Sequence, residues 1–184
     1  MRKPLTADRT PNNMIEEKAE KIKLLIMDVD GVLTDGRIIY TNSGDALKFF
    51  DVTDGMGLFL FSRAGLKSAI LTAKKSKIVS KRAKEMHIDR VYQDAHRKSE
   101  VFEKILTDFN VSLDEVCFIG DDVVDIPVLK KVGFAVSVPN AVPEAKSVAH
   151  YITKREGGRG AVREVIDIIL KIQGKWDEAM KKYY

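Results

Sequence analysis

Asp28 and Asp30 stand at the end of an apolar run, Leu24 to Met27, and are followed at once by Gly31 in the stretch LLIMDVDGVLTDG. An apolar run bounded by a glycine turn reads as a buried strand of a parallel sheet, and residues two apart on a strand share a face. In open α/β sheets the ligand crevice lies outside the carboxyl ends of the strands. Both carboxylates can therefore address one small reacting group, Asp28 as a nucleophile that forms a covalent intermediate and Asp30 as an acid and base. The plainer reading of DxDG is an Asx turn closing the strand. A second acidic cluster weighs against it, because Gly120, Asp121, Asp122 and Asp125 follow another apolar run, Val116 to Ile119. Carboxylates converging from two strand ends repel unless a cation sits among them, and oxygen-only ligands suit Mg²⁺ better than a soft metal.

Two further groups lie between these clusters, each after an expected strand. Thr72 ends the run Ser68 to Leu71, and Lys98 opens a helix after the strand Arg90 to Gln93. A hydroxyl with a following backbone N–H can bind a phosphoryl oxygen, and an ammonium can neutralise a second. Taken singly, Thr72 reads as a strand terminus and Lys98 as a solvated helix residue; their company gives them value.

The elements that must position these groups follow from pattern. Residues Met1 to Asn13 hold two prolines and little apolar content and are expected to be a loose tail, leaving one domain over residues 14–184. After the first strand, Ile38 to Thr41 and Ala46 to Val52 flank the turn formers Asn42 to Asp45, which predicts a β-hairpin. Helices are expected over Gly55 to Arg63, Ser76 to His87, Lys98 to Phe109 and Val123 to Lys131, with strands at Phe134 to Val138 and Tyr151 to Thr153. Val162, Val165, Ile166, Ile169 and Leu170 mark a C-terminal amphipathic helix. Such βα alternation predicts an α/β fold with a doubly wound, mostly parallel sheet.

Composition agrees with a single enzyme domain. The 184 residues carry a formal net charge of +4 and a pI near 9.0, yet no basic stretch is interleaved with aromatics as in single-strand nucleic-acid binders, so no nucleic-acid partner is expected. A mild positive potential suits a small anionic substrate equally well. Cys117 lies within an apolar strand and reads as a core residue. No stretch approaches the ~20 apolar residues of a membrane span, and the N-terminus lacks an apolar signal core. The expectation is a cytoplasmic protein without a membrane partner.

In order, Asp-x-Asp, Thr, Lys and Gly-Asp-Asp-x-x-Asp resemble the four motifs of the haloacid dehalogenase-like hydrolases, a superfamily dominated by Mg²⁺-dependent phosphatases. DVDGVLTDG, the segment KFFDVTDGMG from Lys48 to Gly57, GDDVVDIPVLKKVGFAVSVPNA from Gly120 to Ala141 and ITKREGGRGAVREV from Ile152 to Val165 are similar to those of the octulosonate 8-phosphate phosphatases within it. The resemblance implies hydrolysis of 3-deoxy-D-manno-octulosonate 8-phosphate through an aspartyl phosphate on Asp28, and a place in lipopolysaccharide biosynthesis. It implies Mg²⁺ held by Asp28, the backbone carbonyl of Asp30 and Asp121, with Asp122 and Asp125 supporting and orienting Lys98. It further implies Thr34, Asp54, Gly55, Lys74 and Arg159 as substrate-binding residues.

Only 41 residues separate Asp30 from Thr72 and 25 separate Thr72 from Lys98, and the hairpin, helices and strands consume both intervals. No room remains for a cap domain of the kind related hydrolases use to exclude water. The resemblance implies a homotetramer in which the hairpin builds the assembly and the C-terminal segment nears a neighbour's site. The glycine-rich segment Lys154 to Gly160, with Arg159, is expected to be a flexible loop that closes over that site. One departure concerns the second motif, usually Thr-Gly-Arg in the family and Thr72-Ala73-Lys74 here. Lysine lacks the bidentate fork of arginine, which leaves a nine-carbon keto-sugar acid 9-phosphate open as substrate. A phospho-accepting signalling domain also joins acids, a Thr and a Lys on a doubly wound sheet, but its first strand leads into a helix. A non-catalytic assembly or RNA-binding role leaves the filled catalytic positions without a use.

Overall fold

The computed structural model describes residues 11–42 and 46–184. The first half runs α1 (Pro11–Ala19), β1 (Leu24–Met27), β2 (Ile39–Tyr40), β3 (Ala46–Leu47), α2 (Val52–Arg63), β4 (Lys67–Leu71), α3 (Lys77–Glu85), β5 (Arg90–Tyr92) and α4 (Lys98–Phe109). The second half runs β6 (Val116–Ile119), α5 (Ile126–Leu129), β7 (Phe134–Ser137), α6 (Pro143–Ser147), β8 (Tyr151–Ile152), α7 (Ala161–Ile172) and α8 (Trp176–Met180).

Six strands form one sheet in the order β5-β4-β1-β6-β7-β8, and every pairing is parallel. β1, β6 and β7 are buried along their whole length, as expected of strands covered on both faces. Helices α1, α2, α7 and α8 pack together on one face, and α4, α5 and α6 on the other. Leu25, Ile26, Phe118 and Phe134 are fully enclosed between these layers, each such side chain contributing roughly 1.5–3 kcal/mol relative to exposure. The strand order reverses at β1, which has β4 on one side and β6 on the other. A crevice opens at such a reversal, outside the carboxyl ends.

The expected hairpin is present as β2 and β3, an antiparallel pair separate from the main sheet. Its arms are shorter than the alternation predicted, and the turn residues 43–45 lie outside the described residues. α2 begins at Val52, three residues before the expected Gly55, because Asp51 caps it by accepting from Thr53 N at 2.6 Å. α1 begins at Pro11, inside the segment expected to be a loose tail; proline fits a first helical turn, where its missing N–H leaves nothing unpaired. Residues 1–10 of that tail lie outside the described residues. Among the described residues no helix is long and apolar enough to cross a membrane.

Candidate active site

The chain leaves β1 in a tight turn over Val29–Leu33 in which Gly31 takes φ +92°. A Cβ at Gly31 would lie 1.9 Å from Asp121 Oδ2, so a glycine there is what lets the loop after β1 touch the loop after β6. Asp28, 7% exposed, accepts at Oδ1 from Val29 N at 2.7 Å and faces Lys98 Nζ at 2.9 Å through Oδ2. Lys98, the first residue of α4, also meets Asp125 Oδ1 at 2.6 Å. Asp125 Oδ2 accepts from the backbone N–H groups of Asp121 and Asp122 at 3.0 and 3.2 Å. Asp125 thus ties the loop after β6 to the ammonium that touches Asp28. The expected helix from Val123 to Lys131 is instead a 3₁₀ turn, Val123–Asp125, followed by the short α5, with Pro127, which has no N–H to donate to the preceding turn, in the first turn of α5.

Asp28, Asp30, Thr72, Lys74, Lys98, Asp121 and Asp122 line one crevice of about 170 Å³. Its charges are unbalanced. Burial pushes the Asp28 carboxyl up to about 6, with Lys98 opposing and Asp125 reinforcing the rise. Burial and the charges of Asp28 and Asp125 push Asp121 up to about 7. The ammonium of Lys98 is buried too, but its two carboxylate neighbours outweigh that and hold it firmly protonated.

The acidic set fits a divalent cation. Carboxylate oxygens of Asp28, Asp121 and Asp125 lie within 4.8 Å of one another. Asp125 has both oxygens engaged, one by Lys98 and one by two N–H groups. Asp121 Oδ1 is buried without a hydrogen-bond partner, and an orphaned buried carboxylate oxygen is costly unless a cation meets it. Asp122 is exposed and caps the 3₁₀ turn by accepting from Val123 N at 2.7 Å; it lies at the crevice with no contact to Lys98.

Four residues expected to touch substrate stand elsewhere. Thr34 is 1% exposed, and its hydroxyl donates to Val29 O at 3.2 Å and accepts from Gly36 N at 3.3 Å, so it closes the Gly31 turn. Asp54 is buried under the start of α7, where Oδ1 accepts from Arg163 N at 2.8 Å. Gly55 faces α3, a Cβ there reaching Arg82 Nη2 at 2.9 Å. Arg159 is exposed in a separate concavity with Arg37 and Phe49. The glycine-rich loop around it is pinned and not free. Gly157 N donates to Asn140 Oδ1 at 2.8 Å, Gly158 N to Val32 O at 2.9 Å, and Asn140 Nδ2 to Gly31 O at 2.9 Å. Gly157 is glycine for close approach, since a Cβ would fall 1.8 Å from Gly31 O.

The sequence reading missed Lys48 and Asn140. Lys48 Nζ pairs with Asp30 Oδ1, its side chain only 8% exposed. The signal was a lysine set between the apolar Leu47 and Phe49 on the hairpin's returning arm. Lys74, whose position was predicted, reaches Asp30 Oδ2 at 3.7 Å and remains 57% exposed.

A parallel sheet with an aspartate, a buried lysine and an acidic loop beyond the carboxyl ends of its strands defines a class, and comparison with known proteins gives the same one. A family model for haloacid dehalogenase-like hydrolases matches residues 58–166, and the chain belongs to that family. Over 176 residues it is 43% identical to a 3-deoxy-D-manno-octulosonate 8-phosphate phosphatase of Escherichia coli K12, covering 96% of this chain and 90% of that protein. The phosphatase of the same description from Moraxella catarrhalis, solved with magnesium, phosphate and KDO, matches with a TM-score of 0.91 at 40% identity, covering 94% of this chain and 99% of that one. A putative hydrolase of this superfamily from Legionella pneumophila matches with a TM-score of 0.92 at 42% identity, covering 94% and 95%.

Proposed function

We propose that the chain is a Mg²⁺-dependent phosphoric monoester hydrolase that converts 3-deoxy-D-manno-octulosonate 8-phosphate to the free sugar acid and phosphate. The observation that carries this reading is the convergence of Asp28, Thr72, Lys98 and Asp121 on one crevice, in a chain that aligns over 96% of its length with phosphatases of that ester. Asp28 attacks phosphorus as the bond to the sugar oxygen breaks, and Asp30 gives that oxygen its proton. Water then attacks the aspartyl phosphate while Asp30 takes up a proton, which regenerates Asp28. Thr72 and Lys98 meet the negative charge that spreads over the phosphoryl oxygens. Asp28, Asp121 and the Asp30 backbone carbonyl would hold Mg²⁺, which supplies charge neutralisation at the phosphoryl group. Asp125 keeps Lys98 aimed at Asp28.

A phosphate-release assay over sugar phosphates tests the substrate. The octulosonate ester should give the highest kcat/KM; a higher value with a nine-carbon keto-acid 9-phosphate overturns the choice. That second reading is favoured by Lys74, a lone ammonium at the crevice mouth where the family usually carries an arginine.

The protein is further proposed to be a cytoplasmic homotetramer. Tyr40, Leu47, Phe49 and Val52 on and beside the hairpin are 71%, 46%, 60% and 77% exposed, an apolar surface of the kind that marks an interface. Arg159 would meet the anionic sugar at a neighbouring subunit's crevice. Sedimentation should give a tetramer, and Arg159→Ala should raise KM for the sugar phosphate more than for p-nitrophenyl phosphate. A fully active monomer sinks both ideas.

A further inference from the structure

The hairpin sends one lysine into the crevice region, against Asp30. Along its returning arm Leu47 and Phe49 point outward, 46% and 60% exposed, and Lys48 between them points in with its side chain 8% exposed. This is the period of a strand. An ammonium so enclosed needs a partner, and its partner is Asp30 Oδ1. The carboxyl of Asp30 sits in the turn after β1 with its side chain 21% exposed, and its other oxygen is 3.7 Å from the solvated Lys74. Asp28 and Asp125 are held by groups at the carboxyl edge of the main sheet, Val29 N, Lys98 and the loop after β6. Asp30 is held by a residue just past β3 of the separate two-stranded sheet.

From this we infer that Lys48 is a positioning residue for proton transfer: it fixes Asp30 through Oδ1 and leaves Oδ2, met among the described residues only by the solvated Lys74 at 3.7 Å, to exchange a proton at the crevice. The inference rests on the reading of Asp30 as the acid and base. In the first half-reaction the Asp28 carboxylate forms a bond to phosphorus, the phosphorus–oxygen bond to the sugar breaks, and the departing oxygen takes its proton from Asp30. A poor leaving group such as a sugar alkoxide needs that proton, whereas p-nitrophenolate leaves without it. Proton transfer by a positioned side chain contributes ~10²- to 10⁴-fold, and a misplacement of about 1 Å can cost ~10²-fold.

The test compares kcat/KM for octulosonate 8-phosphate and for p-nitrophenyl phosphate in the full-length protein with Mg²⁺, for Lys48→Met, Lys48→Arg, Asp30→Asn and the double variant Asp30→Asn/Lys48→Met. Lys48→Met should lower the sugar-to-aryl ratio at least tenfold, mainly through kcat. Lys48→Arg, which keeps a cation on the arm, should recover most of that loss. In the Asp30→Asn background, Lys48→Met should add less than twofold, since the two act as a unit. Equal loss on both substrates, an effect confined to KM, or a further tenfold loss in the double variant overturns the inference. If Lys48→Met fails to fold, the Lys48→Arg ratio decides, an unrecovered tenfold fall counting against the role. An Asp30→Asn ratio equal to the parent's would instead defeat the assignment of Asp30, and so the failures are distinguishable.

Discussion

The floor and the rim of the crevice are built in opposite ways. On the floor, Asp28, Lys98 and Asp125 are 7%, 3% and 0% exposed, and each polar atom is fixed by a strand-end neighbour. At the rim, Lys74 and Asp122 are exposed or nearly so, and Asp30 depends on a lysine borrowed from the hairpin. A group buried at a sheet edge is held before any substrate arrives, which suits charge stabilisation of phosphoryl transfer. A group on a solvated loop can be exchanged at little cost to the fold, which suits discrimination among leaving groups. On the proposed mechanism the floor would meet the phosphoryl group and the rim the leaving group, with Asp30 acting between them.

The comparison breaks first at Asp28. Asp28→Asn should fold and lose essentially all phosphate release, because an amide is a poor nucleophile and a poorer metal ligand; chelation of the metal should abolish turnover in the parent as well. Turnover of Asp28→Asn within tenfold of the parent would return Asp28 to the role of a turn residue, and turnover that survives chelation would remove the metal from the mechanism.

Next comes Lys98. Lys98→Met leaves Asp28 and Asp125 buried without their cation, and removing one partner of a buried pair costs about 3–5 kcal/mol. Urea denaturation should report a loss of that order together with inactivation. A parent-like midpoint with low activity would mean that the floor is less tightly organised than its distances imply.

Asp54 offers a control away from both regions. Burial raises its carboxyl from 3.8 to about 6, so the stability linked to its neutral form is complete below pH 3.8 and is lost as pH rises through 6. Asp54→Asn keeps an oxygen for Arg163 N and removes the ionisation. Relative to the parent, its Tm should therefore improve between pH 4 and pH 7.5, by up to about 3 kcal/mol in stability. A constant difference across that range would show that the carboxyl titrates normally.

The smallest effect is expected at the rim. Lys74→Arg should leave the Tm within a degree or two, since the side chain is 57% exposed, while shifting the ratio of kcat/KM between eight- and nine-carbon acid phosphates by about tenfold, the scale of one fork-like contact. A ratio that does not move would show that this position does not read the substrate.

Much of the floor could be read along the chain. β1, β6 and α4 have the boundaries expected of them, because long apolar runs and helical spacing are local signals that burial then reinforces. Short helices such as α6 and α8, five residues each, are too brief to show a period. The surroundings of the rim were not legible along the chain. Thr34, Asp54 and Gly55 sit in motif-like segments, yet the Thr34 hydroxyl closes a turn, the Asp54 carboxyl meets the start of α7 and the Gly55 backbone lies against Arg82 of α3.

What the sequence determined by itself was the set of strand-end groups. Alternating apolar runs and turns put Asp28, Thr72, Lys98 and Asp121 at carboxyl ends of parallel strands or just beyond them, and parallel sheets place those ends on one edge. What only the tertiary structure decided was which carboxylate is engaged by its neighbours and which keeps a buried oxygen unpaired, and who holds Asp30. Asp125 and Asp121 share a segment and a charge, and they differ only in what surrounds them: one is saturated by Lys98 and two N–H groups, the other keeps a buried oxygen unpaired. Lys48 reaches Asp30 from 18 residues away across a turn, and the glycines near Arg159 are pinned by Asn140 and Val32. Hydrogen-bond saturation and close approach depend on distances in space, and a pattern of residue types carries no record of them.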